Sequence, residues 1–338
     1  MSLKVTREQI LAFRRRVGCL DVRLPPGATS LARAARAGLQ DSVPRSALHS
    51  LHARVEGTVP EAWEDPSLVQ VWGLRYTAYV VPAGEHAPFT LGRLPDSGRT
   101  RRRAEDLAAR LHAYLEGRRL GVQEAGRGLG VHHNALRYAA LTGTVLIRWG
   151  GARQPTVWTV PRPEVDPLEA RAELARRYLH ALGPATAESF SVWAGTGTRE
   201  ALATFEALGT SLVAVRTPLG EAFLLAEDEP TLRAPAGAAA AARLLPSGDV
   251  FYLLQRVDRE LLVRDPARRA ELWTSRVWPG ALLLGGDVAG TWRRAGSAVT
   301  VTPWRRFSKT ERDAVETEAA TLPLPDVHGA VSVRWDGG

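Results

Sequence analysis

Cysteine is almost absent from this sequence, with Cys19 the only one among 338 residues. A single cysteine cannot form a disulfide within the chain, and no group of cysteines and histidines has the spacing of a zinc site. Cys19 lies between Gly18 and Leu20, a setting that favours a buried, unreactive thiol. We therefore expect no metal site.

Long apolar runs are also missing: none approaches the roughly 20 residues that cross a bilayer. Charged residues recur in the first eight positions, which argues against the apolar core of a signal peptide. A cytoplasmic location is expected, at the nucleoid if the protein binds DNA. No phosphate-binding glycine loop, dinucleotide fingerprint or nucleophile elbow is present, so we expect no cofactor.

Acidic residues are outnumbered by basic ones. Lys and Arg total 44 against 36 for Asp and Glu, the formal net charge is +8, and almost all of the positive charge is arginine. This balance favours polyanionic partners, because binding phosphates releases condensed counterions. An arginine-rich proteome with GC-rich coding bias would give the same composition.

A repeated order of elements is the more specific signal: helix, short helix, turn, helix and two-stranded hairpin. In the middle copy Leu107, Leu111 and Leu115 form the stripe of one helix, and a second helix is predicted from about His132 to Leu141. Strands 144–149 and 156–160 follow as a hairpin. This layout is typical of a winged helix, whose second helix can enter a major groove.

Two further copies flank the middle one. The later copy has a helix over 167–182, a short helix from Thr186 to Trp193, a candidate recognition helix over 199–208, and strands 211–216 and 221–225. The first copy is looser, with strands predicted over 68–72 and 76–81. Three copies of one order are hard to explain by chance.

The predicted fold class is α+β, with tandem winged-helix units followed by a strand-rich C-terminal region. Segment 91–103 is predicted to be a linker, and segment 227–246 is predicted to be a connector or a short helix. Strands are expected over 250–255, 281–284, 290–293, 299–302 and 331–335. The predicted divisions are unit 1 at 1–92, unit 2 at 93–163, unit 3 with its connector at 164–244, and the C-terminal region at 245–338.

Gln40 and Asp41 form the candidate catalytic group, in a turn between two helices of the first unit. Adjacent amide and carboxylate groups could orient a water, with Asp41 as a general base or as a charge that stabilises a nearby cation. The favoured alternative from these residues alone is helix capping, with Asp41 or Ser42 accepting backbone N–H bonds after the turn.

Basic and imidazole side chains at helix starts, wing tips and linkers are candidate DNA contacts. His49 and His52 share a helix face, where the alternative to a DNA contact is packing. For His133 the alternative is capping or solvent exposure. The Trp292-Arg-Arg and Trp304-Arg-Arg triplets suit stacking on bases or packing at a sheet edge. The full set is Arg45, His49, His52, Arg101, Arg102, Arg103, His133, Arg137, Arg148, Arg153, Arg199, Arg293 and Arg294.

Four stretches resemble the AlkZ-type winged-helix alkylpurine DNA glycosylases: 39–47, 71–82, 175–186, and 286–294 with 307–312. The resemblance covers nearly the whole chain, and its C-terminal stretch is the most specific part. It implies tandem winged helices arranged as a cradle around duplex DNA, alkylated or intact, and a monomer is expected because one such cradle can bind DNA alone.

The resemblance also implies a catalytic Gln-x-Gln or Gln-x-Asp near the start of the first unit. Aligned with Gln40 as the second glutamine, this chain has Gly38 in place of the first, and Tyr79 stands where a histidine is usual. The leading hypothesis is a repair glycosylase that acts on alkylated purines through Gln40 and Asp41. The alternatives are a DNA-binding protein without catalysis, such as a regulator or a damage-recognition factor, and winged helices that contact proteins only.

Overall fold

The computed structural model describes residues 3–43, 45–151, 154–325 and 330–336. Its first half contains β1 (Leu3–Lys4), α1 (Arg7–Val17), α2 (Ala28–Ala34), β2 (Leu39–Gln40), α3 (Ser46–His52), β3 (Leu68–Trp72), β4 (Ala78–Pro82), α4 (Arg99–Leu115), β5 (Leu120–Gly121), α5 (Val122–Gly128), α6 (Leu136–Ala139), β6 (Val145–Arg148) and β7 (Thr156–Thr159).

The second half continues the mixture of helices and strands. It contains α7 (Pro167–Leu182), α8 (Ala187–Ala194), α9 (Thr198–Leu208), β8 (Leu212–Thr217), β9 (Gly220–Leu225), α10 (Glu229–Arg233), β10 (Ala242–Leu245), α11 (Asp258–Leu262), α12 (Pro266–Leu272), β11 (Gly280–Leu284), β12 (Asp287–Ala295), β13 (Ala298–Pro303), α13 (Lys309–Ala320) and β14 (Ser332–Trp335). Among the described residues, no helix is long and apolar enough to span a membrane.

A six-stranded sheet in the order β2-β4-β3-β6-β7-β5 joins the first two predicted units. Its two halves meet where Gln70 of β3 lies opposite Ile147 of β6. β2 pairs antiparallel with β4, with Gln40 opposite Tyr79. This pairing brings the candidate catalytic turn to one end of the sheet.

The third predicted unit has its helices, α7 to α9, before the hairpin of β8 and β9. α7 spans the predicted bounds, because Asp166 caps its N-terminus and Pro167 opens it. Tyr178, Phe190 and Trp193 pack against one another in the core, with ring centroids of Tyr178 and Trp193 4.9 Å apart. The hairpin also pairs in parallel with β1, so the start of the chain lies beside this unit.

The C-terminal sheet has the order β10-β11-β12-β13-β14 and packs against α13. The capping box of Ser308 and Glu311 begins α13. β10 lies inside the predicted connector or short helix 227–246, so that part of the prediction is wrong; its buried Leu244 and Leu245 pair with β11 instead.

Three other predicted segments differ from the structure. The helix over 132–141 is only α6 flanked by two 3-10 turns. The strand over 250–255 is wrong, since Val250–Tyr252 is a 3-10 turn capped by the Asp249 carboxylate. The linker over 91–103 is partly helix α4, and Arg93 is buried with bonds to the backbone oxygens of Ala194 and Gly73.

Candidate functional site

At the turn after β2, the neighbouring side chains of Gln40 and Asp41 point to opposite faces of the chain. The Asp41 N–H donates to the Ala78 carbonyl at 2.8 Å, so the extended pairing with β4 continues past Gln40. Successive side chains of an extended segment point to opposite faces. Gln40 therefore faces the surface half-buried, while Asp41 is buried with 1% of its area exposed.

The Gln40 amide is held at both ends. The Tyr79 hydroxyl donates to Gln40 Oε1 at 3.3 Å, and Gln40 Nε2 donates to Ser42 Oγ at 2.5 Å. Burial raises the pKa of Tyr79 above its usual value, so the hydroxyl keeps its proton for this bond. Gln40 and the exposed Ser42 thus share one face of the turn, and the amide has a fixed orientation.

Asp41 is a buried bridge between elements. Its Oδ1 accepts from the Ala47 N–H at the start of α3 at 3.1 Å, which is the capping bond expected as the alternative role. Its Oδ2 accepts from Gln70 Nε2 at 3.0 Å, and Gln70 Oε1 in turn accepts from the Trp149 N–H at 2.7 Å. Burial raises the pKa of Asp41 to about 6, although these bonds and nearby Arg45 oppose the shift.

Gly38 lies at a position that no larger residue can occupy without strain. Its φ is +78°, and a Cβ atom there would lie 2.5 Å from the ring of buried Phe89. A glutamine at position 38 would point into the core rather than beside Gln40. The side chain that does lie beside Gln40 is Ser42, two residues later instead of two residues earlier.

Three clefts meet at Ser42 and Val43, and together we call them the central groove. The middle cleft, which Gln40 lines, shares Ser42 with the cleft on one side. It shares Val43, Ser247 and Trp278 with the cleft on the other side. Five arginines line the groove, whereas no carboxylate does among its described residues. The arginines are Arg75, Arg137, Arg276, Arg293 and Arg294. The groove therefore presents positive charge on both sides of Gln40.

Of the predicted DNA contacts, His49, Arg137, Arg293 and Arg294 line the central groove. Arg137 is exposed on α6, and the Arg293 guanidinium donates to the Val277 carbonyl at 3.1 Å. The sequence analysis missed Ser42, Gln70, Arg75 and Arg276. Gln70 carried a signal, because it is the polar residue in an otherwise apolar strand.

Arg45 and Arg148 both pack over the ring of Trp63, beside the turn. The Arg45 and Arg148 guanidinium carbons lie 3.6 Å and 4.2 Å from the centre of the Trp63 ring. Arg148 also forms an ion pair with Glu64 at 2.9 Å. Both guanidiniums are thereby fixed to the protein surface.

His49 and His52 are buried, which fits packing rather than phosphate contact. His49 lies edge-on to Trp292 with ring centroids 6.1 Å apart, and His52 Nε2 lies 2.9 Å from Thr321 Oγ1. Burial lowers the pKa of each histidine to about 3, so both rings are neutral near pH 7.

The remaining candidates lie away from the central groove. Arg101, Arg102 and Arg103 belong to the first turns of α4, where Arg101 pairs with Glu105 and Arg103 covers the Tyr138 ring. The His133 ring lies beside the His132 ring with a tilt of 33°, and Arg199 is exposed on α9. Arg153 lies outside the described residues. Among the residues described, no group of three His, Cys, Asp or Glu side chains could hold a metal ion.

Comparison with known proteins gives a consistent result. The model of the AlkZ-like DNA glycosylase family matches residues 34–323. The curated interstrand DNA cross-link repair glycosylase of Streptomyces sahachiroi is 24% identical over 364 residues, which cover 94% of this chain and 96% of that protein. The solved structure of Streptomyces sahachiroi DNA glycosylase AlkZ matches with a TM-score of 0.80 at 23% identity, covering 99% of this chain and 100% of the other. At that identity the structural likeness shows a shared fold.

Proposed function

The chain belongs to the AlkZ-like DNA glycosylase family, and from this premise we propose that it hydrolyses the N-glycosidic bond of alkylated purines in duplex DNA. The observation that supports this most is the position of Gln40, an amide held at both ends where three arginine-lined clefts meet. We propose that it acts as a monofunctional, monomeric enzyme on the DNA of the nucleoid, without a cofactor.

Hydrolysis of the N-glycosidic bond of an alkylated purine needs few catalytic groups from the protein. An N7-alkylated purine is cationic, so the C1′–N9 bond can break with its electrons going to the base, which leaves neutral. The sugar then carries oxocarbenium character, and water forms the new C1′–O bond and releases a proton to solvent. The enzyme must place that water and stabilise the positive sugar.

We assign to Gln40 the role of positioning the attacking water molecule. A glutamine amide has two N–H donors and a carbonyl with two lone pairs. Ser42 and Tyr79 use one donor and one acceptor site, which leaves one of each for a water molecule or the sugar. The two bonds also limit the rotation of the side chain, so the water position is fixed before the substrate arrives.

Asp41 is assigned a positioning and electrostatic role. Both of its oxygens accept bonds from Ala47 and Gln70, and it is buried, so it cannot touch a water in the groove. Its negative charge lies directly behind Gln40 and favours the positive sugar of the transition state. It also anchors α3 to the strand that carries Gln70.

The range of lesions is a second part of the proposal. The curated relative is named for the repair of interstrand cross-links, so a cross-linked purine is a candidate substrate beside a singly alkylated one. Both share the cationic base that makes the bond weak. A damaged base also costs less to expose than an intact pair.

The test measures base release from duplex DNA carrying N7-alkylated purines, scored by alkaline cleavage of abasic sites. We expect Gln40→Ala to slow single-turnover release by about 100-fold and Ser42→Ala to slow it less. DNA affinity should change little in both variants. The matched control is Gln123→Ala, because Gln123 is exposed on α5 away from the groove.

Full activity of Gln40→Ala would refute the assignment of this residue. Failure of the wild-type protein to release any tested base, together with tight salt-sensitive binding to duplex DNA, would favour a DNA-binding protein without catalysis. Binding that is insensitive to salt would instead favour contacts with proteins.

A further inference from the structure

A second cleft lies behind the strand that carries Gln40, and we call it the back cleft. It lies between the end of α1, α2, α7 and the 3-10 turn at Val250, and its cavity volume is about 220 Å³. This volume suits a ligand smaller than those of ordinary pockets, which span roughly 300–1,000 Å³. Phe251, Val250 and Leu225 contribute apolar lining, and Arg14 and Arg54 are its fully buried cations.

Basic groups dominate the back cleft. Six arginines and His180 line it, against one carboxylate, the exposed Glu227. The arginines are Arg14, Arg33, Arg36, Arg54, Arg176 and Arg177.

The arginines have too few internal partners. Glu173 is shared by three of them, at 3.6 Å from Arg36, 3.7 Å from Arg176 and 2.9 Å from Arg177. Of these three, Arg177 has a second partner in Glu85 at 2.6 Å. The exposed Arg33 guanidinium has no ion pair or hydrogen bond within the described parts of the chain. Arg54 is satisfied by Asp249, and His180 by Asp228. Positive charge at the mouth of the cleft is therefore left uncompensated.

The buried guanidinium of Arg14, separate from the charges at the mouth, also lacks a hydrogen-bond partner for one nitrogen in the part of the chain that the structure describes. Its side chain is 2% exposed and donates to the Gly183 carbonyl at 3.1 Å, yet Nη1 has no hydrogen-bond partner among the described residues. Buried polar groups are normally paired, and an unpaired charged donor is costly. An oxyanion in the cleft would bring acceptors and negative charge to this group.

We propose that the back cleft binds a small molecule that carries an oxyanion, phosphate or carboxylate, beside a short apolar part. The oxyanion contacts Arg33 and Arg176 at the mouth and offers an acceptor to Arg14 Nη1, and the apolar part lies on Val250 and Phe251. The same two chain segments, 33–43 and 247–253, have their other side on the central groove, where Gln40 and Gly248 touch. The ligand therefore rests against the segments that position Gln40.

The experiment is isothermal titration of the full chain with inorganic phosphate, pyrophosphate and citrate at constant ionic strength. Saturable binding of at least one probe is expected, and Arg33→Ala and Arg176→Ala should each weaken it about tenfold or more. Arg216→Ala is the matched control, because Arg216 is exposed on β8 and does not line the cleft. Stronger binding of pyrophosphate than citrate identifies phosphate as the preferred anion, and the reverse identifies carboxylate.

Two results would overturn the proposal. One is the absence of saturable binding of all three probes, or binding that Arg33→Ala and Arg176→Ala leave unchanged. The other is a loss of duplex DNA affinity in these variants as large as that of Arg293→Ala, which would make the cleft part of the DNA surface. Base release is measured separately, so failure here is distinguishable from failure of the glycosylase proposal.

Discussion

At the scale of single residues, Gln40 and Asp41 show how neighbours in sequence divide a task. Gln40 faces the groove and is held by Tyr79 and Ser42, while Asp41 faces the interior and is held by Ala47 and Gln70. In the proposed mechanism, the Gln40 amide on the groove side holds the water. The buried side offers a negative charge whose protonation depends on pH near neutrality, because burial raises the pKa of Asp41 to about 6.

The ionisation of Asp41 predicts the pH dependence of base release. Above pH 6 the carboxylate is charged and supports the positive sugar, so the background-corrected rate should rise through about pH 6. Asp41→Asn should lower the rate and remove this step. Single-turnover rates from pH 5 to 8 check the prediction, and an identical step in both proteins would contradict it.

The contribution of Asp41 to the stability of the folded protein should fall as the pH rises, whereas the rate of base release should increase. The folded-state pKa lies above the usual 3.8, so the folded protein holds this proton more tightly than the unfolded chain. The contribution of this group to stability is fully present below pH 3.8 and is lost as the pH rises through about 6. Activity and stability can therefore be separated in the same pH range.

Gly38 gives a prediction about the glutamine that the family pattern places there. Gly38→Ala should destabilise the protein by about 1–3 kcal/mol more than Gly84→Ala, since both glycines have φ of +78° but only Gly38 would bring a Cβ against Phe89. Gly38→Gln should be at least as unstable as Gly38→Ala, and its rate of base release should not exceed that of the wild-type protein. Denaturant unfolding of the three variants measures this, and equal losses in the two alanine variants would contradict it.

At the scale of elements, a buried ion pair ties α3 to the segment behind the groove. Arg54 Nη1 and Nη2 donate to Asp249 at 2.7 Å and 2.8 Å, and the Ser50 hydroxyl donates to the same carboxylate at 2.6 Å. Asp249 adjoins Gly248, which lies against the Gln40 amide. The position of the turn thus depends on a contact between distant parts of the chain.

Breaking that pair should be costly. Asp249→Ala leaves the Arg54 charge buried without a partner, so we expect a loss of about 3–5 kcal/mol in the free energy of unfolding. The matched control is Asp287→Ala. Asp287 forms an ion pair with Arg7, but its carboxylate is exposed to solvent, so this pair should contribute less than about 1 kcal/mol. Urea unfolding compares the two, and similar losses would refute the special role of the buried pair.

At the scale of the whole molecule, the sheets connect the predicted units. β3 pairs with β6 across the first two units, and β1 pairs with β8 of the third. The central groove takes walls from the first, second and C-terminal regions, with Arg137 from one and Arg293 from another. DNA in the groove would therefore contact residues that are far apart in sequence.

The charge of the groove predicts a salt dependence. The logarithm of DNA affinity should fall linearly with the logarithm of salt concentration, and Arg137→Ala and Arg293→Ala should each reduce the slope by about 1. Arg216→Ala, on an exposed strand outside the groove, should not change it. Fluorescence anisotropy with labelled duplex DNA measures the slopes, and unchanged slopes would remove these arginines from the DNA surface.

The sequence by itself determined the local elements and the family. The bounds of α7 were predicted correctly, because the apolar residues that define this helix recur within a few residues of one another. The predicted resemblance to AlkZ-type glycosylases is confirmed by the family match over 34–323 and the mixed α and β fold. The breaks around α6 and at Val250 were missed, since short turns there depend on single capping bonds.

Only the tertiary structure decided which side chains meet at the turn. Tyr79 reaches Gln40 and Gln70 reaches Asp41 through pairings of β4 and β3 with strands elsewhere in the chain. Their register sets which face each side chain takes, and a shift of one residue would exchange Gln40 and Asp41. The sequence could place a glutamine and an aspartate in one turn, but the sheet decided which one faces the groove.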